Sequence, residues 1–188
     1  MTDMVDKCSD PLYRLSIYES GHALMAWALG QRIIHIRMLP RPCETVTEKA
    51  FLGNNWGSFC EILEMRVMEL FGGQIAEEIV CGATACCTGD IPRIDEITRI
   101  LGGIYEEEDH EDIFFRLESR TQDVFADERY RQAILPLADL LYARESAGDL
   151  EIEGRAVEDV IARFIPKVKS QSKGPLAFLN RLKEAVTG

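Results

Sequence analysis

The chain has 188 residues, of which 46% are hydrophobic and 28% are charged, values typical of a soluble globular domain. Its net charge of -11 argues against nonspecific binding to nucleic acid or to an anionic membrane, since both require basic patches. No apolar run is long enough to span a bilayer, and the first residues lack the pattern of a signal peptide. We therefore expect a cytoplasmic protein without nucleic-acid or membrane partners.

The first part of the chain predicts a helix followed by a small β element. Asp10 can cap a helix over residues 11–30, where a proline suits the first turn and apolar residues recur at helical spacing. The β-branched, alternating residues 33–39 predict a strand. Residues 41–57 are mixed and rich in turn formers, which indicates an irregular loop or a second short strand.

The second part of the chain predicts mostly helix. Apolar residues recur at helical spacing in four segments, which are residues 60–80, 90–101, 113–146 and 151–164. A break can occur near Pro136. The pair Gly72-Gly73 weakens the first of these helices unless another backbone packs closely there.

The predicted fold class is therefore mainly α with a small β element. Residues 1–166 are expected to form one domain, since that length supports a single substantial core. Residues 167–188 are expected to be a C-terminal extension with a polar linker and a short helix.

The cysteines do not predict a disulfide framework, because a domain of this size does not need covalent crosslinks. We expect reduced thiols at all six positions, which are Cys8, Cys43, Cys60, Cys81, Cys86 and Cys87.

The most informative motif lies within the first predicted helix and reads Tyr18-Glu19-Ser20-Gly21-His22. It is the zinc-peptidase pattern His-Glu-x-x-His with tyrosine in place of the first histidine. In the intact pattern, two histidines on one helical face bind zinc and the glutamate activates water. The glutamate and the second histidine are present here, whereas the first ligand is replaced.

Three further segments follow this motif along the chain, namely Ile36-Arg-Met-Leu-Pro-Arg41, Gly72-Gly-Gln-Ile-Ala-Glu-Glu78 and Gly89-Asp-Ile-Pro-Arg-Ile-Asp-Glu96. Together, the four segments resemble the peptidase domain of the FtsH-type ATP-dependent zinc metallopeptidases, in the same order. The resemblance covers about residues 12–161 and implies a helical peptidase-domain fold. The family's membrane helices and ATPase are not expected in this chain, and no P-loop motif predicts an ATP site.

The resemblance implies a role for each matching residue: Glu19 as the general base, His22 as a zinc ligand and Asp90 as the third ligand. Tyr18 stands at the replaced ligand position. A phenol titrates near about pH 10, so a neutral tyrosine is a poor zinc ligand. We therefore expect impaired zinc binding.

Several residues near this motif have more than one interpretation. Tyr18 could fill the metal's space and donate its hydroxyl to Glu19 or Asp90. Cys86 or Cys87 could replace the missing imidazole as a ligand, although two small apolar residues packed in a tight turn are the simpler interpretation.

Three nearby carboxylates also have alternative roles. Glu77 and Glu78 could orient site residues, but solvated helix charges are the simpler account. Glu19 could instead be a relict carboxylate paired with an arginine such as Arg93 or Arg99.

Two functions remain open from the sequence. The first is a metallopeptidase-like pseudoenzyme that binds a peptide or protein segment with impaired zinc binding. The alternative is an active zinc metallopeptidase, a hydrolase that cleaves peptide bonds with an altered ligand set. The expected partner is a peptide or protein in both cases.

Overall fold

The computed structural model describes residues 7–48, 53, 55–86, 89–105 and 108–166. Its helices are α1 (Pro11–Ala28), α2 (Trp56–Cys81), α3 (Asp90–Ile104), α4 (His110–Ala126), α5 (Glu128–Ser146) and α6 (Gly154–Ile161). Its strands are β1 (Arg32–Arg37), β2 (Glu44–Glu48) and β3 (Glu151–Glu153). The predicted fold class, mainly α with a small β element, is confirmed. The predicted C-terminal extension, residues 167–188, lies outside the described residues.

Helix α1 is the central element of the fold. Asp10 caps it by accepting hydrogen bonds from the backbone N–H groups of Leu12 (2.9 Å) and Tyr13 (3.4 Å), and Pro11 begins the first turn. Every residue from Ser16 onward is buried, because the helix packs mainly against α2 and α5. The described helices include none with the length and apolar character to cross a bilayer.

Helices α1 and α2 cross with their backbones in contact at glycine residues. A Cβ atom on Gly21 would overlap the carbonyl oxygen of Gly72, and a Cβ on Gly72 would lie 2.6 Å from the carbonyl oxygen of Gly21. Neither position can therefore carry a side chain without moving the helices apart. The sequence predicted that the glycine pair in α2 would be tolerated only if another backbone packed closely against it. The backbone of α1 does so at Gly72.

The sheet is antiparallel and has the strand order β2-β1-β3. Residues 41–57 thus contain a second short strand, one of the two alternatives that the sequence left open. Within the described residues, β2 forms one edge of the sheet, so one side of its backbone does not pair with another strand.

Two predicted helix boundaries are wrong. Helix α2 begins at Trp56 and not at residue 60, because Asn55 caps it by accepting from the Ser58 N–H at 2.9 Å. The segment 113–146 breaks at Asp127 and not near Pro136, since the Asp127 side chain caps α5. Pro136 lies inside α5, where the carbonyl that loses its partner belongs to solvent-exposed Gln132.

The predicted helix over residues 151–164 is also only partly correct. Its first three residues form β3, which pairs with β1 through Ile36 and Ile152. Helix α6 begins afterwards, at Gly154. A three-residue strand is too short to produce a periodic pattern, so its pairing partner decides its conformation.

The prediction that all six cysteines are reduced thiols is wrong. Cys8 and Cys81 form a disulfide with Cα atoms 5.7 Å apart. They are separated by 73 residues in the sequence, and the fold brings the chain before α1 next to the end of α2. Cys43, Cys60 and Cys86 are not part of this disulfide, and Cys87 lies outside the described residues.

Two glycine substitutions should change stability in opposite directions. Gly21→Ala should lower the free energy of unfolding by about 2–3 kcal/mol or more, because the added methyl group meets backbone of α2. Gly103→Ala should raise it by about 0.5–1 kcal/mol, because this exposed helical glycine has open space around its Cα. Urea denaturation followed by circular dichroism measures both. Equal losses in the two variants would contradict the helix contact.

Removal of the disulfide should destabilise the fold. Cys8→Ser should lower the free energy of unfolding by about 2–4 kcal/mol, because the crosslink closes a long loop in the unfolded chain. Cys43→Ser is the matched control, since this thiol is free and serine keeps its hydrogen bond to the Met38 carbonyl. Urea denaturation without reductant compares the two, and a similar small loss in both variants would argue against the crosslink.

Candidate functional site

A cleft of about 670 Å³ contains the residues of the sequence motif. Buried residues of α1 form its base, while β2 and the preceding loop line one part of the wall and residues of α2, α3 and the loop between them line another. The residues on which the site's chemistry depends are Tyr18, Glu19, His22, Thr45, Arg66, Glu69, Cys86, Asp90 and Arg93.

Tyr18 stands where the zinc-peptidase pattern has its first histidine. It binds the carboxylate of Asp90, which the resemblance matches to the third zinc ligand. Its hydroxyl donates a hydrogen bond of 2.5 Å to Oδ2 of Asp90. Tyr18 is buried, and Asp90 stands at the first position of α3 with a largely buried side chain. One of the sequence-based interpretations of Tyr18, a hydroxyl offered to Asp90, is therefore confirmed.

His22 is held on both sides of its ring. Its Nδ1–H donates to the backbone carbonyl of Glu69 at 2.7 Å, since a carbonyl oxygen can only accept. Its Nε2 faces Oδ2 of Asp90 at 3.2 Å. With the Nδ1 proton committed to Glu69, the contact with the carboxylate is favourable when Nε2 is also protonated.

The pKa values of this pair agree with an ion pair. Burial opposes the charged form of His22, but the hydrogen bond to Asp90 and the charge of Glu19 outweigh it and raise the pKa of His22 above its ordinary value. Burial opposes the charged form of Asp90 as well, yet the hydrogen bonds from His22 and Tyr18 hold the pKa of Asp90 below its usual range.

Glycine in α2 makes room for both rings. The rings of Tyr18 and His22 meet edge to face, with centroids 4.6 Å apart. A Cβ atom on Gly73 would lie 2.6 Å from the His22 ring and 2.9 Å from the Tyr18 ring. Gly73 is therefore required for the packing of the two rings, whereas Gly72 is required for the helix crossing.

Glu19 lies in the same cleft but outside this hydrogen-bonded trio. Its carboxylate accepts a hydrogen bond of 2.9 Å from the Thr45 hydroxyl on β2. The interpretation of Glu19 as a partner of Arg93 or Arg99 is wrong: the polar partner that the structure gives Glu19 is Thr45. Burial raises the pKa of Glu19 above its ordinary value, although His22 and Thr45 act in the opposite direction.

Glu77 fixes the loop that leads to Asp90. Its carboxylate is fully buried, accepts the backbone N–H groups of Ala85 (3.0 Å) and Cys86 (3.1 Å), and forms an ion pair with Arg14 of α1. The same arginine donates to the Ala83 carbonyl at 2.6 Å. The simpler account of Glu77 as a solvated charge is thus wrong.

The side chains that line the cleft do not fit a zinc site with three ligands. Ligands that share a zinc at about 2.0–2.2 Å lie roughly 3.3 Å from each other in tetrahedral geometry. The 2.5 Å separation between Tyr18 and Asp90 is instead that of a hydrogen bond. The described part of the chain contains no group of three or more His, Cys, Asp or Glu side chains arranged around one metal position.

Cys86 lines the cleft as a half-buried residue, but it does not complete a set of three ligands with His22 and Asp90. Its backbone N–H binds Glu77, which accounts for its position in the loop. Cys87, the other cysteine considered as a replacement ligand, lies outside the described residues.

The fold brings Tyr18, Glu19, His22 and Asp90 into one cleft, as the sequence motifs predicted. Sequence reasoning missed Thr45, because a threonine in a short strand carries no signal of its pairing with a residue 26 positions away. It did not assign Gly73 to the site, although the glycine pair was a usable signal.

Comparisons with known proteins add no relative. No protein-family model matches the chain, and no curated protein matches it with significant similarity.

Neutralising Glu77 should free the loop before Asp90. Glu77→Gln should lower the free energy of unfolding by about 3 kcal/mol, because it leaves Arg14 partly buried without its charge partner. Glu78→Gln, on the exposed neighbour, should change it by less than about 0.5 kcal/mol. Urea denaturation measures both, and hydrogen exchange at Ala85 and Cys86 should accelerate in the first variant alone. Unchanged exchange there would contradict the anchoring role.

Proposed function

We propose that this protein is a relative of the FtsH-type peptidase domain that binds a peptide or protein segment in its cleft without a catalytic zinc. The hydrogen bond between Tyr18 and Asp90 carries this proposal. It places a protein hydroxyl against the carboxylate that, by the resemblance, would hold the metal. Within the chain, Asp90 accepts a hydrogen bond from Tyr18 and faces the His22 imidazole.

The state of Glu19 supports the same proposal. A general base must accept a proton from water near neutral pH. The Glu19 carboxylate is buried and is held by a hydrogen bond from Thr45, so its position is explained by contacts within the chain. Without a metal to polarise the water, this arrangement does not support peptide hydrolysis.

The shape of the cleft suits an extended peptide. Its volume of about 670 Å³ is within the usual range of ligand-binding clefts. Four consecutive residues of the edge strand β2 line it, residues 44–47. An extended segment can add to such an edge through backbone hydrogen bonds while its side chains occupy the cleft.

A second candidate is an active zinc peptidase with an altered ligand set, and the orientation of His22 favours it. A metal-binding histidine commonly donates its other ring N–H to a backbone carbonyl, and His22 donates in this way to Glu69. The same bond also explains an imidazolium paired with Asp90, so it does not require a metal.

Location and other partners stay predictions. The net charge of -11 supports the absence of nucleic-acid and anionic-membrane partners. A cytoplasmic location is retained as a prediction, with the condition that the Cys8–Cys81 disulfide would have to resist the reducing thiols of that compartment.

Zinc content tests the metal-free part of the proposal. Protein purified without chelators should contain much less than one zinc per chain, whereas Tyr18→His should approach one, because the lost imidazole ligand is restored. Elemental analysis by mass spectrometry measures both, with Tyr18→His/His22→Ala as the control. Stoichiometric zinc in the natural sequence that is lost in His22→Ala would contradict the proposal, as would cleavage of casein that is abolished by Glu19→Gln.

Peptide binding tests the other part of the proposal. Fluorescein-labelled peptides from a casein digest should bind, and Val46→Trp should weaken binding at least tenfold, because the added ring fills the cleft. Ile34→Trp is the matched control, since Ile34 lies on the neighbouring strand, exposed and outside the cleft. Fluorescence anisotropy measures the affinities. Equal effects of the two variants, or no binding at all, would overturn the proposed binding function.

A further inference from the structure

The cleft differs in charge from the rest of the molecule. The whole chain carries 21 basic and 32 acidic residues. The cleft is lined by four arginines, Arg37, Arg41, Arg66 and Arg93, and by only four carboxylates, Glu19, Glu44, Glu69 and Asp90. The lining of the cleft is thus close to neutral, whereas the chain as a whole is acidic. The cleft therefore repels an anionic group less than the remaining surface does.

Each carboxylate in the cleft is already engaged by a neighbour in the chain. The donor and acceptor pairs are Thr45–Glu19 (2.9 Å), Arg37–Glu44 (2.7 Å), Arg66–Glu69 (3.0 Å) and Tyr18–Asp90 (2.5 Å). A basic ligand would therefore have to displace an internal hydrogen bond to reach one of these carboxylates.

The arginines are engaged to different extents. Arg37, Arg41 and Arg66 each pair with a carboxylate of the chain, and the partner of Arg41 is Glu145. Arg93 is exposed and forms no hydrogen bond or ion pair with any residue that the structure describes. It follows Asp90 by three residues on α3, about one helical turn, so the two residues share one side of this helix, and both line the cleft.

We propose that the cleft selects peptides that present a carboxylate, and that Arg93 is the residue that binds it. This inference rests on the proposed peptide-binding function. A guanidinium group binds a carboxylate through two parallel hydrogen bonds, so Arg93 can recognise either an Asp or Glu side chain or a free C-terminus. A peptide lysine at the same place would be repelled by the charge of Arg93, and the cleft carboxylates that could bind it already have hydrogen-bond partners in the chain.

The test uses fluorescein-labelled ten-residue peptides that share one apolar sequence and carry two central Glu, Gln or Lys residues. Each is made with a free or an amidated C-terminus, and affinity is measured by fluorescence anisotropy. The Glu peptides should bind at least about tenfold more tightly than the Lys peptides, and the preference should shrink as salt increases. If only free C-termini bind tightly, the carboxylate is the peptide's terminus; if amidated Glu peptides bind equally, it is a side chain. Either result supports the proposal.

Two variants assign the effect to one residue. Arg93→Gln should weaken the Glu peptide roughly three- to tenfold and change the amidated Gln peptide by less than about twofold. Arg99→Gln is the matched control on the same helix, since Arg99 is exposed, lies outside the cleft and pairs with Asp95. It should leave all affinities unchanged, and thermal unfolding should confirm that both variants fold.

The outcomes separate this inference from the function on which it rests. Equal binding of every peptide, whatever its central residues and whether its C-terminus is free or amidated, would overturn the role of Arg93 while leaving peptide binding intact. An equal loss for all peptides, including the amidated Gln peptide, in Arg93→Gln would do the same. Binding of no peptide by the natural sequence would overturn both. If Arg93→Gln and Arg99→Gln weaken binding of the Glu peptide equally, the preference arises from long-range electrostatics. That result would reject a direct contact between Arg93 and the peptide carboxylate.

Discussion

The close crossing of α1 and α2 is the constraint on which the rest of the site depends. Gly21 and Gly72 allow backbone to contact backbone, and this brings the Nδ1 atom of His22 within 2.7 Å of the Glu69 carbonyl. One residue further along α2, Gly73 leaves space for the rings of Tyr18 and His22. If the helices stood a methyl group further apart, the ring of His22 would lose its backbone partner.

Neighbouring side chains stabilise the charge of Asp90, which a metal ion would stabilise in the family that the chain resembles. A dication would neutralise Asp90 and attract Glu19 in their ionised forms. In this protein Asp90 accepts a hydrogen bond from the Tyr18 hydroxyl and faces the imidazole of His22, whose pKa is raised. Glu19 has no such cation in direct contact, and its pKa rises with burial. The trio is thus electrostatically satisfied within the chain, which explains how a tyrosine is tolerated in a buried polar site.

The loop between α2 and α3 is fixed by features outside the motif. Glu77 binds two of its backbone N–H groups and pairs with Arg14, so a buried ion pair links the loop to both α1 and α2. The disulfide from Cys81 to Cys8 crosslinks the end of α2 directly before that loop. Both interactions restrict the path of the chain to Asp90, and a site whose residues come from separate helices needs such support.

Local sequence determined the helices that carry the site and the residues that could act there. The cap at Asp10, the proline at position 11 and the helical spacing of apolar residues are short-range signals, so α1 could be predicted from them. The resemblance to the FtsH-type peptidase domain implied that Glu19, His22 and Asp90 share one site with Tyr18, and these four side chains line one cleft. Only the tertiary structure decided the short strand β3, the disulfide and the partners of Glu19, Glu77 and Tyr18. Each of these depends on contacts between residues far apart in the chain, and the energy of such a contact appears only when the fold has brought its two partners together.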